Sequence, residues 1–465
     1  MRDLVLTLFI FGMLPACFLR PQVGLLMWAW VSYMSPHRLT WSFAYDFRFN
    51  LIIAAVTLLG IILHRDIRLR IPMNGTTIFW MLFIFWTWIT TFDAFQANAA
   101  LSEFSRFIKI QLMILATLMV LRERRWIVAM VWVIVLSVGF WGVKGGVFTL
   151  LEGGSFRVYG PAKSFFEDNN ALALALITVL PLMRFLQLQS RRFILWLSVS
   201  GVMLLAVVSV AGSYSRGGLL GLSAMALFLW FKSPRRLLWG GVMVLLGMGF
   251  FVFMPQHWQE RMGSIVSLYR DDKPVAEDRS ISGRFNAWEF AVNVANDRPF
   301  LGGGFRAFHW RWFKKYAPNP DDFHDAHSIY FEVLGEHGYF GLLLWLMFYL
   351  LGFAGAGTIQ RRTRRRDDLK WAGQLAAMIQ VALVGYAAAG AFLGLAYFDL
   401  PYHLVSLVVV TRLVVEQELA TASPVKADAA HHPPSGRGMD RRPRFPLREP
   451  RSIFLRPTAV AGRSA

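Results

Sequence analysis

Cysteine is nearly missing from this chain: Cys17 is the only one in 465 residues. No disulfide framework and no thiolate metal cage can be built from one thiol. The His-Glu-x-x-His pattern of zinc hydrolases is absent as well. No A-x-A-like cleavage site follows the first apolar block, so that block is expected to be retained as a membrane segment. No internal repeat is visible, which argues against the two related halves, with paired Gly- or Pro-broken spans, of many transporters. What the chain has in excess is apolar: 55% of residues are hydrophobic and 15% aromatic, with a mean hydropathy of +0.44. Soluble domains do not need repeated apolar blocks of spanning length. An all-α polytopic integral membrane protein is the expected fold class.

Candidate spans lie at roughly 4–19, 22–34, 50–63, 76–92, 103–121, 126–147, 170–187, 193–211, 217–231, 236–254, 338–357, 371–395 and 401–416, each near the ~20 residues a helix needs. The first two are short and separated by Arg20-Pro21, so twelve or thirteen spans are expected. A formal charge of +19 raises nucleic acid as a partner. The basic residues, however, fall in short clusters between apolar blocks: "HRDIRLR" (64–70), "RERR" (122–125), "SRR" (190–192), "KSPRR" (232–236) and "RRTRRRDDLK" (361–370). The alternate loops include "TTFDAFQANAA" and "YFDLPYH", which hold no Lys or Arg. Under the positive-inside rule the basic set is cytoplasmic. Four regions follow: N-terminal spans over 1–254, a large periplasmic loop over 255–326, C-terminal spans over 327–416, and a Pro- and Arg-rich tail over 417–465. The tail is expected to be disordered, in reach of anionic headgroups. Its His431-His432 pair lacks the further ligands of a metal site.

Three stretches at the predicted periplasmic ends of spans carry candidate chemistry. In "AGSYSRGGLLGL" (211–222), Arg216 precedes Gly217-Gly218 at a helix start. Backbone donors there, beside a guanidinium, suit a phosphate or diphosphate; the competing reading is an arginine snorkelling to the interface. In "SISGRFNAWEFAVNVANDRPFLGGGF" (280–305), Arg284 falls at the expected start of an amphipathic helix, where contact with an anion and plain surface exposure are both open. In "DAHSIYFEVLGEHGYFG" (325–341), a continuous helix at about 100° per residue would place Phe331, Leu334, Gly338 and Gly341 within about 40° of His327. His327 would then head a glycine-cleared stripe open to another helix or a lipid-like chain. Glu332, Glu336 and His337 fall off that stripe and read as interface or supporting residues. No second ligand stands at i+3 or i+4 from His327, which disfavours a metal site. A neutral imidazole with two guanidiniums would instead suit glycosyl transfer from a lipid diphosphate.

These residues resemble the bacterial O-antigen ligase and polymerase superfamily. "HSIYFEVLGEHGYFG" fits the pattern H-[NSQ]-x9-G-x-x-G through His327, Ser328, Gly338 and Gly341, and "SYSRGG" looks like an S-x-S-R-G element. "SGRFNAWEFA" is similar to the family's arginine-bearing periplasmic helix. The N-terminal half, with "FSRFIKIQLMILATLMVL" and "FFEDNNALALAL", resembles O-glycosylation ligases associated with exosortase systems. The resemblance covers most of residues 1–416 and leaves out the tail.

It implies an inverting, metal-independent transfer, without a cofactor, of a glycan from undecaprenyl diphosphate to an acceptor hydroxyl at the periplasmic face of the bacterial inner membrane. The acceptor would be lipid A-core or a periplasmic protein. His327 would be the base, and Arg216 and Arg284 would hold the diphosphate. Arg106 and Lys109, basic residues within a span, are further candidates for the same anion. Asp168 and Asn169 stand near the same mouth, where a helix cap is the competing role. A repeat-unit polymerase and a transporter of lipid-linked sugar are the alternatives.

Overall fold

The computed structural model describes residues 1–64, 70–233, 235–267 and 279–422. The expected tail beyond residue 422, with His431-His432, and most of the basic stretch 64–70 lie outside these residues. Two compact units divide the chain, 1–418 and 419–465; of the second, the described residues 419–422 close the last helix.

Among the described residues there are α-helices, one short 3-10 turn and no strand. The helices are α1 (Arg2–Leu19), α2 (Pro21–Met34), α3 (Phe49–Leu63), α4 (Gly75–Phe92), α5 (Ala97–Val120), α6 (Arg124–Leu151), α7 (Asn169–Gln189) and α8 (Phe193–Gly212). They continue as α9 (Arg216–Lys232), α10 (Arg236–Phe253), α11 (Gln256–Ser267), α12 (Arg279–Asp297), α13 (Trp310–Tyr316), α14 (Ile329–Thr363), α15 (Lys370–Gly390) and α16 (Asp399–Ala422). Eight of them (α1, α4, α6, α7, α8, α10, α14 and α15) are long and apolar enough to cross a membrane. The remaining expected spans are helical but fall short for local reasons. α2, α3 and α9 run only 14, 15 and 17 residues. α5 carries Glu103, Arg106 and Lys109, and α16 carries His403 and Arg412. The chain is an all-α, multi-pass membrane protein. Arg20 breaks the helical path (φ −133°), and α2 folds back against α1, so the first two apolar blocks are two helices.

α7 is the core. Its sequence is apolar all round, as a fully enclosed helix requires, and Leu172 to Leu180 are buried without interruption between α6, α8, α9 and α15. α10 is equally apolar but exposes Leu237, Leu245 and Val252. An apolar face left uncovered on this scale suits lipid.

Chain alternation brings the starts of α7, α9, α14 and α16 and the ends of α4, α8, α10 and α15 to one end of the bundle. The long connection between α10 and α14, which contains α11, α12 and α13, joins it there. Aromatic packing builds this layer: Phe290 stacks on Phe313 at 4.4 Å, and Phe95 of the α4–α5 turn stacks on Trp312 at 4.0 Å. Arg298 pairs with Asp93 in the same region.

Two helical expectations are corrected. α12 begins at Arg279, so Arg284 lies in its second turn and not at a helix start. α14 begins at Ile329, after His327, and is broken at Gly338 (φ 68°, ψ −175°). The cause of the break is a foreign partner. Residues 299–304 bond into α14: Tyr339 N–H donates to Pro299 O (2.8 Å), Gly303 N–H to Gly335 O (2.8 Å) and Gly304 N–H to Glu336 O (2.7 Å). The straight-helix projection from His327 therefore fails. Gly338 and Gly341 are covered by protein, the former by Pro299 and Phe300 and the latter by Trp86, and offer no open stripe.

A methyl group at residue 338 would stand 2.5 Å from Pro299 O, on a backbone only glycine adopts readily. Gly338→Ala should cost at least about 1–2 kcal/mol from the left-handed φ alone, with more from the clash. Tryptophan-fluorescence melting of the purified protein should register a clear loss, and an unchanged midpoint would refute the break.

Candidate active site

The α8–α9 turn is the first component. Ser215 caps α9, its hydroxyl accepting from Gly218 N–H at 2.9 Å, and Arg216 is the first residue of the helix. One of the expected backbone donors is thus already taken. Tyr214 adopts φ +59°, and its phenol donates to Gly154 O (2.6 Å) and meets His257 Nε2 (2.6 Å). Trp258 Nε1–H donates to Ala211 O at 3.0 Å, so α11 buttresses the turn. Asn169, at the start of α7, donates from its amide to Ser213 O at 2.6 Å. Asp168 caps α7, accepting from Asn170 N–H at 2.8 Å.

The second component is α12. Asn286 fastens the 319–322 loop, donating to Asn319 O and Asp322 O and accepting from Asn319 N–H. Gly283 packs under the His324 ring. Trp288 Nε1–H donates to Ala326 O at 2.9 Å and its ring stacks on Phe331 at 4.9 Å. Residues 283–288, Arg284 among them, therefore flank the segment that carries His327.

His327 itself is part-buried and held at φ +44°. A left-handed backbone on a non-glycine residue is costly and needs support from its surroundings. Burial pushes the imidazole below its ordinary pKa of 6.5; Arg284 and, less strongly, His324 act in the same direction, while Asp325 and Asp168 oppose them. Burial and the Arg284 charge thus favour the neutral ring, against the opposing pull of Asp325 and Asp168.

Residues 391–398, which join α15 to α16, link these components. Phe392 lies against Gly217, next to Arg216, and meets the Trp288 ring at 6.4 Å. Arg106 reaches the other end of this connection: it stands over the Phe165 ring at 3.9 Å, and Phe165 packs on Phe398 at 5.9 Å. Arg106 also pairs with Glu103 at 3.6 Å. Lys109 is exposed one helical turn further along α5. Arg284 thus acts on His327, the turn of Arg216 meets the same connection through Gly217 and Phe392, and Arg106 meets it through Phe165. Among the described residues, no three His, Cys, Asp or Glu side chains converge as metal ligands.

The supporting carboxylates on α14 are more heavily engaged than their sequence suggests. Glu336 accepts from Tyr397 O–H (2.6 Å) and Arg306 N–H (2.7 Å), and Glu332 accepts from Ala396 N–H (3.0 Å). His337 Nδ1 meets Thr90 Oγ1 at 2.8 Å inside the core. The spacing of Glu332 and Glu336, one turn apart ahead of an apolar run, was the available signal; their partners, 30 to 64 residues away, were not.

Residues 201–346, which contain Arg216, Arg284, His327 and the break at Gly338, match the O-antigen ligase family. The match supports the O-antigen ligase superfamily for this part of the chain. Residues 1–191 match a second family, of unknown function (DUF5935), which includes Arg106 and Lys109. No curated protein matches the chain. The O-antigen ligase match supports a membrane glycosyl-transfer enzyme of the ligase or polymerase type.

Diethyl pyrocarbonate modifies neutral imidazole, so its reaction with His327 should fall to half only below pH ~6.5. Arg284→Gln removes a charge that lowers the pKa and should move that midpoint up. Asp168→Asn preserves a helix cap but removes a charge that raises it, and should move the midpoint down. Peptide mass spectrometry at His327 reads both shifts; a midpoint unmoved by either variant would contradict this electrostatic arrangement.

Proposed function

We propose that this protein transfers a glycan from undecaprenyl diphosphate to an acceptor hydroxyl, on lipid A-core or a periplasmic protein, at the outer face of the bacterial inner membrane. The observation that carries the reading is the placement of His327 beside Arg284, with Arg216 joined to the same site through Phe392. The side assignment follows from the loops: the site lies at the end of the bundle opposite the Lys- and Arg-rich turns.

In this reading His327 takes the proton of the acceptor hydroxyl. The acceptor oxygen bonds to the anomeric carbon from the face opposite the diphosphate, inverting that centre. The bond from the anomeric carbon to the phosphate oxygen breaks, and its electron pair leaves with undecaprenyl diphosphate. Arg216 and Arg284 balance the charge that gathers on the departing oxygens. The imidazolium then releases its proton to water. Neutral His327 is the competent form, and the neighbouring cations favour that form. Arg106 and Lys109 are further candidates for contact with the same diphosphate.

Reconstitution with undecaprenyl-diphosphate glycan and three acceptors separates the outcomes. Transfer to lipid A-core or to protein supports ligation; transfer only to a second lipid-linked glycan indicates a polymerase; movement of donor across the bilayer without transfer indicates a transporter. His327→Ala should reduce transfer by about a hundredfold or more while donor still binds. Arg216→Gln and Arg284→Gln should each weaken donor binding by about tenfold, as expected on losing a charge-assisted hydrogen bond. Normal transfer by His327→Ala would remove the base assignment, and unchanged donor affinity in both arginine variants would remove the diphosphate role.

A further inference from the structure

The 391–398 connection is built of turns: Phe392, Leu393, Leu395 and Phe398 N–H donate to backbone carbonyls, and side chains satisfy further groups. Tyr386 O–H donates to Leu395 O (3.0 Å) and Tyr402 O–H to Ala396 O (3.0 Å). These two bonds come from the helices the connection joins. Two more come from α14, whose start follows His327: Glu336 accepts from the Tyr397 side-chain hydroxyl, and Glu332 accepts from Ala396 N–H. Glu332 is the closer of the two to the site. From the point where a side chain at Gly394 would begin, Glu332 Oε2 is 3.5 Å away and His327 N is 3.6 Å away, with no nearer neighbour. The Glu332 carboxylate and the His327 backbone thus face the same small opening beside the connection. Phe392, two residues before Gly394, is the residue that reaches Gly217 and Trp288.

We propose that Glu332 is a positioning residue for His327. Its carboxylate fastens the 391–398 connection to the first turn of α14, and so holds the left-handed His327 in register with Arg216 across Phe392. Glu332 touches neither donor nor acceptor in this role. The proposal rests on the assignment of His327 as the base.

The test uses the full-length protein in nanodiscs, with kcat and donor KM measured for glycan transfer and amide exchange followed over 391–398. Glu332→Ala should lower kcat by about tenfold with donor KM within about twofold, and exchange at Ala396 should quicken. Glu332→Gln retains an oxygen that accepts from Ala396 N–H and should recover most of the lost rate and protection. A fold-wide role for Glu332 would instead lower the melting temperature and speed exchange across α14 and α15. Overturning results are a Glu332→Ala kcat close to wild type, a loss confined to donor KM, or a Gln variant as slow as Ala with protection at Ala396 intact. Should Glu332→Ala not fold, Gly394→Leu carries the test by crowding the opening between Glu332 and His327: lost kcat with retained donor binding supports the proposal, and unaltered kcat overturns it. If the wild-type protein transfers glycan to no acceptor, the base assignment fails. The exchange data for Glu332→Ala and Glu332→Gln then still decide whether Glu332 holds the connection.

Discussion

The insertion of residues 299–304 into α14 at Gly338 is the constraint on which the site depends. Three backbone hydrogen bonds replace the helical ones lost at the break, so the helix can change course in an apolar setting without stranded polar groups. The same bonds dock the long α10–α14 connection on the bundle. Because α12 belongs to that connection, the position of Arg284 beside His327 is set at Gly338, more than ten residues from either. Glu336, which accepts from Arg306 N–H and Tyr397 O–H, extends the join from the inserted loop to the α15–α16 connection.

Around His327 the charges are arranged in opposition. Arg284 and burial favour the neutral ring; Asp325 and Asp168 favour the cation. A base needs both tendencies, since it must be deprotonated at rest and yet accept a proton when the reaction requires it. Trp288 packs on both Phe331 and Phe392, which ties α12 to α14 and to the α15–α16 connection. The N-terminal matched region meets the α15–α16 connection through the contact of Phe165 with Phe398.

Much of the fold was legible because a bilayer imposes a length and an apolar content on each crossing segment. Every expected span coincides with a helix, and the start of α9 was readable from Arg216 ahead of Gly217-Gly218. The break at Gly338 was not. Its partner lies at 299–304, and a projection that assumes one continuous helix has no way to register it. Ser282-Gly283 looked like a helix start, yet α12 begins earlier, at Arg279, and Gly283 serves the His324 ring instead. "YFDLPYH" spoke to orientation through its lack of basic residues and said nothing of the bond from Tyr397 to Glu336. Local chemistry announces caps and spans; contacts between distant segments leave no such mark.

The enclosure of α7 bears on how the protein is made. α6 and α8 flank it and emerge from the ribosome beside it, but the face it presents to α15 is filled by a helix that begins about 180 residues later. At 5–20 residues per second, that interval is roughly ten to forty seconds. During it, one side of the most deeply buried spanning helix rests against lipid or the insertion machinery. Since α7 is apolar on every side, it tolerates this wait. A polar substitution on the α15-facing side would therefore be felt first during biogenesis, before the finished bundle could accommodate it.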